Sequence, residues 1–158
     1  MKAKRIFAFT LAIALCAVCA GCGGGDKGNK KGDTMSVVEI AQSITTDVKD
    51  LPASEIVELN GENFANYAFI PQGEGMEGAA SEGLIGSIAH SVVIVRVPAG
   101  GDADTVKDEI EKAADPRKWI CVEAEKTIVK AHGDTVLLVM SFMDTADEIA
   151  KNFDSLWK

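Results

Sequence analysis

Two apolar runs, 127–131 and 135–142, flank His132-Gly133-Asp134. Such a pair is the mark of a tight β-hairpin, with glycine where the loop needs a residue that tolerates φ > 0. With Gly133-Asp134 as the loop, alternation puts Val129, Ala131, Val136, Leu138 and Met140 on one face and Ile128, Leu137 and Val139 on the other. Both faces are apolar. An antiparallel sheet with one solvated face alternates apolar with polar residues, so this hairpin requires a fold in which each side of the sheet is covered. The expected cover for the second face is an amphipathic helix over 37–48, and a partner surface is the alternative.

The rest of the chain supplies elements for that sheet. Ser36 and Glu39 make a capping box ahead of Val37, Ile40, Ile44 and Val48. Pro52 lies beyond that helix, 55–59 is ambiguous, and Asn60-Gly61 signals a turn. A short strand is expected over 67–70, closed by Pro71, and a β-branched strand over 92–97, bounded by Pro98 and Gly100-Gly101. Thr105 with Asp108, and Thr145 with Glu148, are expected to open two further helices. Their apolar stripes are Val106, Ile110, Ala113, Ala114 and Ile149, Phe153, Leu156, Trp157. The second stripe is the more hydrophobic, which docks the C-terminal helix on the core. The order α, β, β, α, β, β, α predicts an α+β fold, an antiparallel sheet of about four strands with two helices on one face and an N-terminal helix.

Ahead of this domain, Lys2, Lys4 and Arg5 precede a charge-free run over 6–20, the basic and apolar regions of an export signal. As a helix the run rises about 22 Å against roughly 30 Å of bilayer hydrocarbon, so it suits processing rather than a permanent span. Val18-Cys19-Ala20-Gly21-Cys22 resembles a bacterial lipobox, in which small residues precede a cysteine that is diacylated and becomes the mature N-terminus. Cys19 stands where leucine is usual, and ordinary signal-peptide cleavage near Ala20 is the alternative. Lipidation has a physical logic, since two or more acyl chains hold a protein on a bilayer where one binds marginally. The expected organisation is a signal peptide over 1–21, lipid attachment at Cys22, a Gly/Lys-rich tether over 22–35 and a single domain over 36–158. Residues 23–34 carry no apolar side chain, so they cannot bury a core; a Gly-rich coil of that length reaches roughly 20 Å.

Cys16 and Cys19 leave with the signal and Cys22 is blocked, which leaves Cys121 without a disulfide partner and makes packing the source of stability. Within Trp119-Ile120-Cys121-Val122 it reads as a buried small hydrophobe. Losing Lys2, Lys4 and Arg5 deepens the formal charge from −8 to −11. Such a surface repels nucleic acid and anionic headgroups.

No motif assembles a catalytic constellation. Gly73-Glu74-Gly75-Met76-Glu77-Gly78 has the form G-x-G-x-x-G, but 79–83 is a poor helix start and two glutamates would repel a pyrophosphate. The stretch 72–87 is expected to be a long mobile loop. Asp102, Asp104 and Asp108 lack the offsets of a calcium loop and suit a helix start. His90 and His132 show no metal-binding spacing, and zinc would require both to meet Cys121 in space. The serines lie in no nucleophile elbow, and Trp119 and Trp157 read as packing residues.

From about Met35 onward the chain resembles an uncharacterised Gram-positive lipoprotein family, the domain-of-unknown-function 4358 family. The matching features are the lipobox cysteine, a strand like 67–70, a strand like 91–97 leading to an acidic helix, a hairpin turning at Gly133 and a closing helix with Phe153. The chain departs from that pattern at His90-Ser91, where an acidic residue is expected, and in a shortened segment over 116–127. The resemblance implies an architecture and a location, with no functional residue. The expected function is therefore that of a non-enzymatic protein, lipid-anchored on the extracytoplasmic face of the cell membrane, that binds or scaffolds an envelope protein and uses no cofactor. The alternative is a small-ligand or cation-binding lipoprotein using the Gly-rich stretch 72–87.

Overall fold

The computed structural model describes residues 30–158; the expected signal peptide, Cys22 and the expected tether up to residue 29 lie outside the described residues. Five strands form one open sheet: β1 (Ser54–Leu59), β2 (Glu77–Gly83), β3 (Ser91–Arg96), β4 (Lys126–His132) and β5 (Thr135–Ser141). Their order is β1-β2-β3-β5-β4, with every neighbouring pair antiparallel. The helices are α1 (Lys31–Thr34), α2 (Val37–Thr45), α3 (Phe64–Ala68), α4 (Ala103–Ala113) and α5 (Met143–Ser155).

The hairpin forms as its loop chemistry requires. His132 pairs with Thr135 across Gly133, whose φ is 58°. Alternation then builds two separate cores. Val93, Val95, Val136, Leu138 and Met140 pack with Phe64 of α3 and with Val106 and Ile110 of α4. Val92, Ile94, Leu137 and Val139 pack with Ile40 and Ile44 of α2 and with Ile149 and Phe153 of α5. Leu137 and Val139 are fully buried, so the N-terminal helix does cover the second face.

It does not cover it alone. The expected arrangement has the two later helices together on one face, whereas α5 lies beside α2 and only α4, with the short α3, covers the first core. An amphipathic stripe says which side of a helix is apolar, but not which face of a sheet it meets. Here a single residue, Phe142, separates β5 from α5, and the chain turns toward the face that α2 leaves partly open above β5 and β4.

Two segment assignments are corrected as well, and the stretch left ambiguous gains one. Residues 67–70 are not a strand: α3 occupies 64–68 and ends at Phe69, which has φ of 63°. The Asn60-Gly61 turn leads directly into that helix, with Asn63 Oδ1 accepting from Asn60 N and Phe64 N donating to the Asn60 carbonyl. The ambiguous stretch is strand β1. The expected mobile loop over 72–87 contains β2, an interior strand with Gly78, Ala79, Ala80 and Ser81 at its centre. Small residues hide this strand from a pattern based on β-branched and aromatic side chains, yet the packing demands them. A Cβ on Gly78 would lie 2.9 Å from a ring carbon of Phe64 and 3.0 Å from Leu59 Cδ1.

Helix starts move too. Asp102, not Thr105, caps α4 by accepting from Asp104 N and Thr105 N, and α5 begins at Met143, ahead of Thr145, with Glu125 Oε2 accepting from Met143 N at 3.0 Å. The docked chain also begins earlier than Ser36. Arg96 donates to the carbonyls of Gly32 (3.0 Å) and Met35 (2.6 Å), Gly32 N donates to the Leu156 carbonyl, and Trp157 Nε1 donates to Asp33 Oδ1 at 2.7 Å.

Candidate functional site

Strand register divides the molecule into two ends with different chemistry. At one end lie the His132-Gly133-Asp134 turn, Arg96 and the α1 segment through which the chain enters the domain. At the other lie the start of β3, the ends of β2 and β5 and the start of β4, since Glu82 pairs with Ser91, Ser91 with Met140 and Lys126 with Ser141. This second end is the candidate site.

Its base is a buried polar cluster. His90 is completely buried, with Nδ1 2.9 Å from Ser141 Oγ and Nε2 without a hydrogen-bond partner among the described residues. Burial, together with the nearby Lys118 ammonium, pushes its pKa down to about 4, so the ring is neutral near pH 7. Lys118 reaches in from the segment after α4 and donates to Glu82 Oε2 and Ser91 Oγ, both at 3.0 Å. Its ammonium also sits 5.2 Å from the Tyr67 ring centroid and 5.1 Å from that of Trp119. Burial lowers the Lys118 pKa against the opposing pull of Glu82, and burial with the Glu82 and Glu55 charges raises that of Tyr67. Thus one cation pins the 115–125 segment onto the sheet. Ser141 and His90 have the separation of a nucleophile and its base, but both are sealed from solvent and no carboxylate meets the free ring nitrogen. Chemistry on a substrate would need an opening there.

Around this base stand exposed apolar side chains. Among the described residues, the large hydrophobic side chains that stand exposed are Leu84, Ile85, Ile120, Phe142 and Met143, with Ile120 at 99 %. All lie at this end: Leu84 and Ile85 follow β2, Ile120 precedes β4, and Phe142 and Met143 follow β5. Asp50, Glu125, Phe142, Met143, Asp144 and Thr145 line an open groove of about 490 Å³. A second shallow hollow of about 320 Å³ runs along Trp119, Ile120 and Cys121.

The residues singled out from sequence fall into place unevenly. Cys22 lies outside the described residues. Cys121 is exposed rather than buried, because 119–122 is irregular backbone ahead of β4: Trp119 and Val122 pack inward while Ile120 and Cys121 face out. His90 precedes β3 and His132 ends β4; these strands run parallel on either side of β5, so the two histidines stand at opposite ends and do not converge with Cys121. His132 instead stacks on Trp157, 5.4 Å between centroids, and meets Asp154 at 3.0 Å. Among the described residues no group of three His, Cys, Asp or Glu side chains is placed to hold a metal ion. The Lys118 cluster and the exposed Phe142 and Met143 were not legible in sequence, where the first looks like a lone lysine and the second like the end of a core strand.

Comparison with protein-family models, curated proteins and solved structures finds no match.

Proposed function

We propose that this is a lipid-anchored extracytoplasmic protein that holds an apolar tip away from its membrane and uses it to dock a protein partner, without a catalytic step of its own. The observation that carries the reading is polarity along the sheet. The exposed large hydrophobic side chains gather at the end opposite the one where the chain enters from residue 30. Exposed apolar side chains gathered at one end favour a recognition surface. Attachment at Cys22 would leave only residues 23–29 between the acyl group and the clasped segment, a reach of roughly 15 Å for a Gly-rich coil. The hairpin end would then stay near the bilayer and the tip would project outward. The resemblance to Gram-positive lipoproteins supports the same location.

Two measurements test it. A clickable fatty acid fed to the cells should label the wild-type chain and not Cys22→Ser, and the label should travel with the membrane fraction. A photo-crosslinker attached to the exposed Cys121 should trap a discrete protein in intact cells, and the adduct should fade in Ile120→Ser with Met143→Ser. Unlabelled protein in the cytosolic fraction would sink the anchor, and a tip that traps nothing would sink the docking role.

A further inference from the structure

The groove beside Phe142 and Met143 has a chemistry that narrows the partner, and the narrowing rests on the docking reading above. Its lining sets two exposed apolar side chains among three carboxylates, Asp50, Glu125 and Asp144, with no lysine or arginine. Among the described residues, Asp144 and Glu125 have no cationic side chain within 4.0 Å, and Asp50 has only its neighbour Lys49, at 3.8 Å on an exposed pair. Glu125 is held in position by accepting from Met143 N, which keeps a carboxylate beside an apolar side chain instead of free in solvent. The neighbouring Lys126 turns to Asp147 instead of the groove, and the protein without its signal carries a formal −11 once Lys2, Lys4 and Arg5 are gone.

From this juxtaposition of Phe142 and Met143 with Asp50, Glu125 and Asp144 we infer that the tip receives a basic amphipathic polypeptide segment, its apolar side chains on Phe142 and Met143 and its Lys or Arg side chains against the three carboxylates. Other occupants fit worse. A second copy would bring two acidic rims together, an arrangement that costs affinity through like-charge repulsion. An anionic membrane surface would be repelled for the same reason. A metal ion would need the carboxylates to converge, and they do not. A cationic helix or strand spans the groove without that convergence, because each basic side chain meets its own carboxylate while the apolar face is removed from water.

The test uses the chain from residue 22 carrying Cys22→Ser, so that neither acyl chain nor detergent competes. Its binding to a short amphipathic peptide with leucine on one face and lysine on the other is compared with binding to the same peptide carrying glutamate in place of lysine. The basic peptide should bind and the acidic one should not. Asp50→Asn with Glu125→Gln and Asp144→Asn should weaken binding roughly tenfold or more and flatten its salt dependence. Phe142→Ser with Met143→Ser should weaken it while the salt dependence stays. A control with the exposed Glu62, Glu74 and Glu109 changed to glutamine should stay within about twofold, because these lie away from the groove. Equal affinity for both peptides, no binding of the basic one, equal loss in the control, or tip-dependent attachment to anionic vesicles would overturn the inference. A Cys121 crosslink to a partner whose contacting segment is neutral or acidic would leave the docking role standing and remove only this assignment.

Discussion

His90 is the residue whose chemistry is most sharply set by its surroundings. It is neutral in the fold, with a pKa near 4, whereas an unfolded chain would titrate it near 6.5. Between those values the unfolded state binds more protons, so stability falls as the pH drops through this window and levels off below about 4. Chemical denaturation at pH 7.5 and 4.5 should therefore show wild type losing roughly 2–3 kcal/mol more than His90→Asn, which keeps a polar group near Ser141 without a titrating ring. A parallel loss in both proteins would mean that other groups carry the acid sensitivity. Gly78 is constrained by space in place of charge. Gly78→Val would press on the fully buried Phe64 and should cost roughly 1–3 kcal/mol, with part of the loss recovered when Phe64 is shortened to leucine. Neither constraint is visible in sequence, because His90 and Ser141 are distant in the chain and a glycine-rich stretch reads as loop whatever packs against it.

Elements behave according to what their apolar faces meet. Helices α2 and α5 close one face of the sheet and α3 and α4 the other, and Phe153 is fully buried in the first of these layers. Phe153→Ala should therefore cost about 3–5 kcal/mol, measured by urea unfolding. The α1 segment is held differently, by the polar clasp that Arg96 and Trp157 form around Gly32, Asp33 and Met35. A lysine cannot donate to two carbonyls in the same fork geometry. Arg96→Lys should thus raise amide exchange at residues 31–35 selectively and lower global stability by about 1–3 kcal/mol; unchanged exchange there would show the clasp to be dispensable. The hairpin, the capping box at Ser36 and the cover of the second face were legible because each rests on local pattern. Strand β2 and the side taken by α5 were not. The first is built from small residues chosen by neighbours, and the second depends on which face another helix leaves bare.

On the proposed function, the molecule separates an attachment end from a recognition end. Side chains exposed at the tip contribute little to the fold, so Ile120→Ser and Met143→Ser should each change stability by no more than about 0.5 kcal/mol in thermal unfolding while removing the Cys121 crosslink. A large drop in melting temperature would identify them as structural instead. On the proposed anchoring, Cys22→Ser should shift the protein out of the membrane fraction and leave that melting temperature unchanged, since both described cores are built from residues 35–157.

Local pattern in the chain was enough to determine a hairpin apolar on both faces, and with it a sheet that helices must cover from each side. The same reading supplied the expectation of an export signal ending at a cysteine. Those features depend on neighbours within a few residues, where period, turn chemistry and charge act directly. Tertiary structure alone decided that small-residue β2 enters the sheet, that Lys118 reaches Glu82 and Ser91, and that scattered Leu84, Ile120 and Met143 share one end. Such facts depend on residues far apart in the chain being brought together, and burial, which sets both pKa and exposure, exists only after that has happened.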